Sequence, residues 1–248
     1  MIMKIRNGQF WLGDCLELMK DIPDGSVDMI LCDLPYGTTA CKWDTVIPFE
    51  PLWKQYWRVA KPNAAIVLTA SQPFTTALIS SQIKHFKYEW IWDRVNHYTG
   101  ALNSNFMPMK RHENVCVFVK KHKPTYNKQM RDGKPYVAKQ TKGHGEHTVY
   151  GNDRKGHTTI NTGDRNPCSI VEIKGDNKLE SGLHPTQKPV ALFEYLIKTY
   201  TNEGETVLDN CAGSGTTAVA AENTNRKWIC IEQLPEYYNP ACMRVMAG

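Results

Sequence analysis

Asp33-Leu34-Pro35-Tyr36-Gly37 sets a carboxylate, a backbone carbonyl and an aromatic ring within five residues. Two acceptors beside a ring suit a flat heterocycle that carries an exocyclic amino group. The acceptors hold the NH2 while the ring stacks on the base. Pro35 has no N–H to give a sheet ladder, and it keeps Leu34 out of the helical region. The apolar run Val27-Asp28-Met29-Ile30-Leu31-Cys32 therefore reads as a buried strand that must stop here. Ligands of open α/β sheets bind beyond the carboxyl ends of strands, so the pentapeptide stands where a site is expected. The plain alternative is a Pro-Tyr-Gly turn in which Asp33 merely caps a loop.

A second cluster lies near the other end of the chain. Val207-Leu208-Asp209 leads into Gly213-Ser214-Gly215-Thr216-Thr217, a strand, a glycine turn and a helix start. Glycines let backbone approach a ligand closely, and a helix N-terminus offers free N–H groups. Glu232 ends the following strand, the usual place for an acidic partner of a ribose diol. No lysine follows the second glycine, so this is not a P-loop. It is not G-x-G-x-x-G either, which favours one nucleoside with a short tail over a dinucleotide. Asp14, after the first strand, could accept from an adenine amino group, cap the segment behind it, or do both.

The elements that must position these residues follow from periodicity. Strands are expected at Phe10–Leu12, Ala64–Ala70, Tyr88–Trp92, Val115–Val119, Thr206–Asp209 and Trp228–Glu232. Helices are expected at Cys15–Lys20, Phe49–Val59, Phe74–Gln82, Ala218–Asn223, from Pro189 to about Tyr200, and from Pro235 onward. Such alternation predicts a doubly wound, mainly parallel sheet. The rhythm breaks from Lys120 to about Ser181, a polar stretch with no sustained period. A segment of that length is expected to be an inserted binding element with a few short strands. It holds thirteen Lys/Arg against seven Asp/Glu, so the remainder of the chain carries −1 of the net +5. Concentrated positive charge suits phosphates, although a solvated basic loop would look the same. His144 and His147, three apart inside it, read as solvated loop residues.

Composition narrows the classes. No apolar run is long enough to span a bilayer and no basic-then-apolar leader is seen, so a cytoplasmic protein without a membrane partner is expected. Eight scattered cysteines contain no C-x-x-C pair, and Cys32, Cys116 and Cys230 lie in strand-like runs. Neither a metal site nor a disulfide framework is expected.

With these residues in hand, the chain resembles the S-adenosylmethionine-dependent amino-group DNA methyltransferases, in the motif order usually called the beta class. The resemblance rests on Asp33-Leu34-Pro35-Tyr36, on Leu208 to Thr217, and on His184-Pro185-Thr186-Gln187-Lys188-Pro189. It covers nearly the whole chain outside Lys120 to Ser181. It implies a Rossmann-like class I methyltransferase fold with permuted motifs: a catalytic half at 1–119, a target-recognition insertion at 120–182 and a cofactor-binding half at 183–248. By position, it implies that Asp33 and the Leu34 carbonyl grip the target amino group, with Pro35 shaping the turn and Tyr36 stacking on a flipped base. It implies that Asp209 and the turn Gly213, Ser214, Gly215, Thr216 and Thr217 hold the amino-acid end of S-adenosylmethionine, with Thr186 and Lys188 near its carboxylate and Cys211 in the cofactor site. Glu232 would take the ribose hydroxyls, Asp14 or Cys15 would lie near the adenine, and Asp33 would border the same cofactor site. Leu34 and Asn210-Cys211 depart from the family pattern, where Pro and Pro-Phe are commoner. An Asp rather than a Ser at the head of the motif resembles the N6-adenine enzymes. The partner implied is double-stranded DNA. Cytosine N4 as the target, or a catalytically silent DNA-binding relative, remain alternatives, and both a monomer and a homodimer are compatible with the sequence.

Overall fold

A computed structural model of the chain describes residues 1–39, 41, 43–121, 123–140, 156–175 and 187–247. His144, His147 and Thr186 lie outside the described residues. The chain divides into two compact units, Met1–Asn127 with Ser169–Gly248, and Lys128–Cys168.

The larger unit is built on a nine-stranded sheet. In chain order the strands are β1 (Ile2–Ile5), β2 (Gly8–Leu12), β3 (Val27–Asp33), β4 (Ala60–Ala70), β5 (Phe86–Asp93) and β6 (His112–Val119). After the smaller unit's β7 (Arg131–Asp132), β8 (Tyr136–Gln140), β9 (His157–Asn161) and β10 (Asp164–Arg165) come β11 (Ile170–Glu172), β12 (Thr206–Asp209) and β13 (Lys227–Glu232). The spatial order is β1-β2-β13-β12-β3-β4-β6-β5-β11. Pairing is parallel between β2, β13, β12, β3 and β4 and between β5 and β11, and antiparallel at β1–β2 and on both sides of β6. The mainly parallel, doubly wound sheet expected from the sequence is thus present.

Among the described residues, six helices flank it: α1 (Cys15–Leu18), α2 (Phe49–Val59), α3 (Phe74–Ser81), α4 (Val190–Tyr200), α5 (Thr216–Asn223) and α6 (Pro235–Ala247). Two apolar clusters lie on opposite faces of the sheet. Leu192, Leu196, Ala218 and Cys242 pack with Met29 and Val207 on one face. Trp53, Tyr56, Phe74 and Leu78 pack with Ile30 and Leu208 on the other. Alternate residues of β3 and β12 thus feed opposite cores, as a strand buried on both faces must.

Several boundaries differ from the sequence reading. The N-terminal hairpin β1–β2 is longer than the expected Phe10–Leu12. The helix expected to reach Lys20 stops at Leu18 and tightens into a 3-10 turn over Met19–Asp21. The Arg58 guanidinium donates to the carbonyls of Met19 and Ile22 at 2.5 and 2.7 Å, which satisfies acceptors that continued helix would have used. Residues 170–172 lie in the main sheet as β11, where the Trp92 indole donates to the Ile173 carbonyl at 2.8 Å. The smaller unit contains two antiparallel pairs, β7–β10 and β8–β9, with the Arg165 guanidinium 4.7 Å from the Tyr136 ring centre.

Candidate active site

β3 and β12 are parallel neighbours, and the order in which strands are added reverses across them. β3 leads on to β4 on one side, and β12 leads through α5 to β13 on the other. The carboxyl ends of these strands open a crevice at such a switch point. Here Asp33 and Asp209 end the two adjacent strands and line one cavity of about 690 Å³. That volume falls within the range of small-molecule and cofactor pockets.

At the β3 end, Asp33 is held by three donors. Its Oδ1 accepts from the Tyr36 hydroxyl at 2.7 Å and from the Thr69 hydroxyl on β4. Its Oδ2 accepts from Lys188 Nζ at 2.6 Å. Lys188 is 7% exposed and also lies 3.4 Å from Glu113, which pairs with Arg94. Burial, then the Asp33 charge, push the Tyr36 phenol well above its ordinary pKa, so it stays a donor to Asp33. The Tyr36 ring stacks on Phe74 of α3, with centroids 5.1 Å apart. The loop after Gly37 is pinned by Asp44, which accepts from the backbone N–H groups of Gly37, Thr38 and Thr39 at 2.7–2.9 Å. Burial opposes the Asp44 charge, but these N–H groups outweigh it and hold its pKa below the carboxylate range.

At the β12 end, Asp209 is buried and serves the turn. Its Oδ1 accepts from Cys211 N at 3.0 Å and its Oδ2 from the Thr217 hydroxyl. Burial pushes its pKa to about 6. Gly215, the residue before α5, has φ 76°, a left-handed conformation that favours glycine. A Cβ there would stand 3.2 Å from Ala241 and 3.3 Å from Phe10, so the backbone lies against both. Glu232, at the end of β13, accepts from Gly213 N and Leu234 N at 2.8 Å each. Burial raises its pKa despite those bonds. Asp14 caps α1 by accepting from Leu16 N and Glu17 N. Tyr56 donates to Asn210, whose amide reaches Cys15 and Cys211.

The sequence-predicted residues Asp14, Cys15, Asp33, Leu34, Pro35 and Tyr36 therefore share one cavity with Lys188, Asp209, Cys211, Gly213, Ser214, Thr216 and Glu232. Gly215 and Thr217 stand behind it, in the turn and against Asp209. The sequence reading missed Thr69, Asp44, Arg94 and Glu113. Thr69 sits inside an apolar run, and Arg94 and Glu113 flank a loop without periodicity, so only the fold brings them in.

The raised pKa of Asp209 has a consequence for stability. Between its ordinary 3.8 and about 6, the folded chain keeps a proton that the unfolded chain has lost. Stability from this group therefore falls as pH rises through that window, by about 3 kcal/mol in all. Asp209→Asn removes the effect, so the variant should gain about that much relative to wild type between about pH 4 and pH 7 in urea unfolding. A difference flat in pH would mean a solvated carboxylate.

Comparison with known proteins gives a consistent likeness. A family model described as DNA methylase matches residues 27–243. The type II methyltransferase M.HpaI of Haemophilus parainfluenzae is 26% identical over 94% of this chain and 72% of its own length. The cytosine-N4-specific PvuII DNA methyltransferase has the same fold, with a TM-score of 0.70 at 19% identity over 97% of this chain and 87% of that one. M1.HpyAVI, solved as a complex with S-adenosylmethionine, has a TM-score of 0.66 at 24% identity over 96% of this chain and 98% of its own.

Proposed function

The chain belongs to the N6/N4 DNA methylase family, and from that premise we propose that it moves a methyl group from S-adenosylmethionine to the N6 amino group of adenine in double-stranded DNA. The observation that carries the reading is the shared cavity between Asp33 and the Gly213 turn. The donor set fits the cofactor. Asp209 and Glu232 are buried carboxylates beside backbone N–H groups, and each Glu232 oxygen accepts one N–H in the structure and retains capacity for a ribose hydroxyl. S-Adenosylmethionine supplies a methyl already activated on a sulfonium.

The chain's own residues have a separate task. The N6 lone pair of adenine is delocalised into the ring, so the nitrogen is a poor nucleophile. Asp33 and the Leu34 carbonyl accept its two N–H groups, which favours a pyramidal nitrogen with its lone pair directed at the methyl. When bound, S-adenosylmethionine would supply the methyl to this nitrogen, which would release one proton to solvent along its hydrogen bond to Asp33. Positioning and fixed dipoles carry most of the rate. The amino group cannot be reached inside a duplex, so the base swings out. Stacking on Tyr36, worth about 1–3 kcal/mol, offsets part of the loss. The lysines and arginines of residues 120–182 contact phosphates and groove edges.

The test is mass spectrometry of nucleosides after unmethylated DNA is incubated with the protein and labelled cofactor. N6-methyladenine is the expected product. N4-methylcytosine would overturn the choice of base, and no methylated nucleoside at all would overturn the activity. Glu232→Ala is expected to raise the Kd for S-adenosylmethionine by about tenfold, the equivalent of 1.4 kcal/mol. Calorimetry showing an unchanged Kd would remove the ribose contact.

A further inference from the structure

The connection between β5 and β6 is a projecting finger with a fixed base and an apolar tip. Its base is tied on both sides. Arg111 makes a two-pronged bond to Asp93 at 2.6 and 2.7 Å, and Arg94 N donates to the Arg111 carbonyl at 3.1 Å. Thr99 and Lys110 exchange two backbone bonds at 2.9 Å. The tip carries a 3-10 turn over Ala101–Asn103, and Phe106 N and Met107 N both donate to the Asn103 carbonyl. The tip is therefore ordered by its own backbone.

Its side chains have no core to enter. Leu102 is 97% exposed and Phe106 86%, with Tyr98, Met107 and Met109 about half exposed around them. Exposed apolar side chains gathered in this way mark a contact surface. Charge narrows the partner. From Arg94 to His112 there is no Asp or Glu to repel phosphates, while Arg94 and Arg111 are paired with Glu113 and Asp93 at the base and Lys110 donates to Ser71. Position narrows it further, because Arg94, His97 and Thr99 at the finger's base line the cavity that holds Asp33. The finger therefore borders the cavity proposed to take the base.

Resting on the DNA reading above, we infer that this finger is a wedge for duplex DNA. Leu102 and Phe106 enter the stack at the target position and occupy the space the displaced base leaves. Apolar side chains inserted between base steps offset the unstacking that flipping requires.

The experiment uses Leu102→Ala/Phe106→Ala in the full chain and a duplex carrying the methylated site mapped for the wild type. Both residues are exposed, so folding and cofactor affinity should be unchanged. kcat/KM on the paired duplex is expected to fall by about 10- to 100-fold, since a few kcal/mol of unstacking is then unassisted. On the same duplex with the target opposite an abasic site, the variant should come within a few fold of wild type, because that base is already unpaired. Phe106→Trp should retain activity on the paired duplex. An equal loss on both duplexes would overturn the wedge and leave only a general DNA contact. An unchanged rate on both would overturn it as well, as would conversion from two copies to one in sedimentation, which would make the tip a self-association surface. Absence of methylation by the wild type would instead overturn the activity on which the wedge rests.

Discussion

Asp33→Ala is expected to lower methyl transfer by at least about a thousandfold while leaving cofactor affinity within about 1 kcal/mol of wild type. In the proposed reaction Asp33 serves the nucleophile and not the methyl donor. It stands at the end of β3, whereas the glycine turn, Asp209 and Glu232 belong to β12 and β13. Removing its side chain leaves Glu232 and the Gly213 turn bonded to each other as before. Lys188 loses its 2.6 Å partner but keeps Glu113 at 3.4 Å, so the variant should fold. Single-turnover transfer measured beside calorimetric titration separates the two quantities. Transfer within tenfold of wild type would remove Asp33 from the chemistry. A parallel collapse in cofactor affinity would show that the carboxylate serves the cofactor pocket instead.

Lys188→Met is the second large effect expected, and it acts first on stability. The ammonium is 7% exposed and lies between the carboxylates of Asp33 and Glu113, which are 22% and 6% exposed. Deleting one partner of a buried pair strands the other charge, typically by about 3–5 kcal/mol. Asp33 is partly solvated and Glu113 keeps Arg94, so about 3 kcal/mol, the lower end, is expected here. Denaturant unfolding measures the loss, and the double variant Asp33→Asn/Lys188→Met tests its cause. With the facing charge also gone, the double variant should cost clearly less than the two single variants together. Strict additivity would mean that the two side chains are neighbours without being energetic partners.

Much of this arrangement is legible in residue order. Apart from Asp28, Val27 to Cys32 is apolar without alternation, as a strand buried on both faces requires, and β3 is buried from Val27 to Cys32. Pro35 and the glycines of the turn mark where strands must end, and both marks fall at the cavity. Spacing alone does not convey long-range pairing. Lys188 reads as a residue for the cofactor's carboxylate, yet its ammonium rests on Asp33, 155 positions earlier. Thr69 reads as one member of an apolar strand, yet its hydroxyl fixes Asp33. Asp44 reads as a loop acid, and only the folded turn gathers three backbone N–H groups around it. Such partners are chosen by the sheet, and strand register across long separations leaves no local trace.

The neighbouring strands β3 and β12 also bear on how the molecule is made. Thr206 N donates to Asp28, 178 residues earlier. During synthesis the segment bearing Asp33 therefore waits, with one sheet edge bare, until β12 has emerged. Contacts so remote in sequence form slowly. A nascent chain halted before residue 206 would hold no half-formed enzyme, only an open edge that other chains could join.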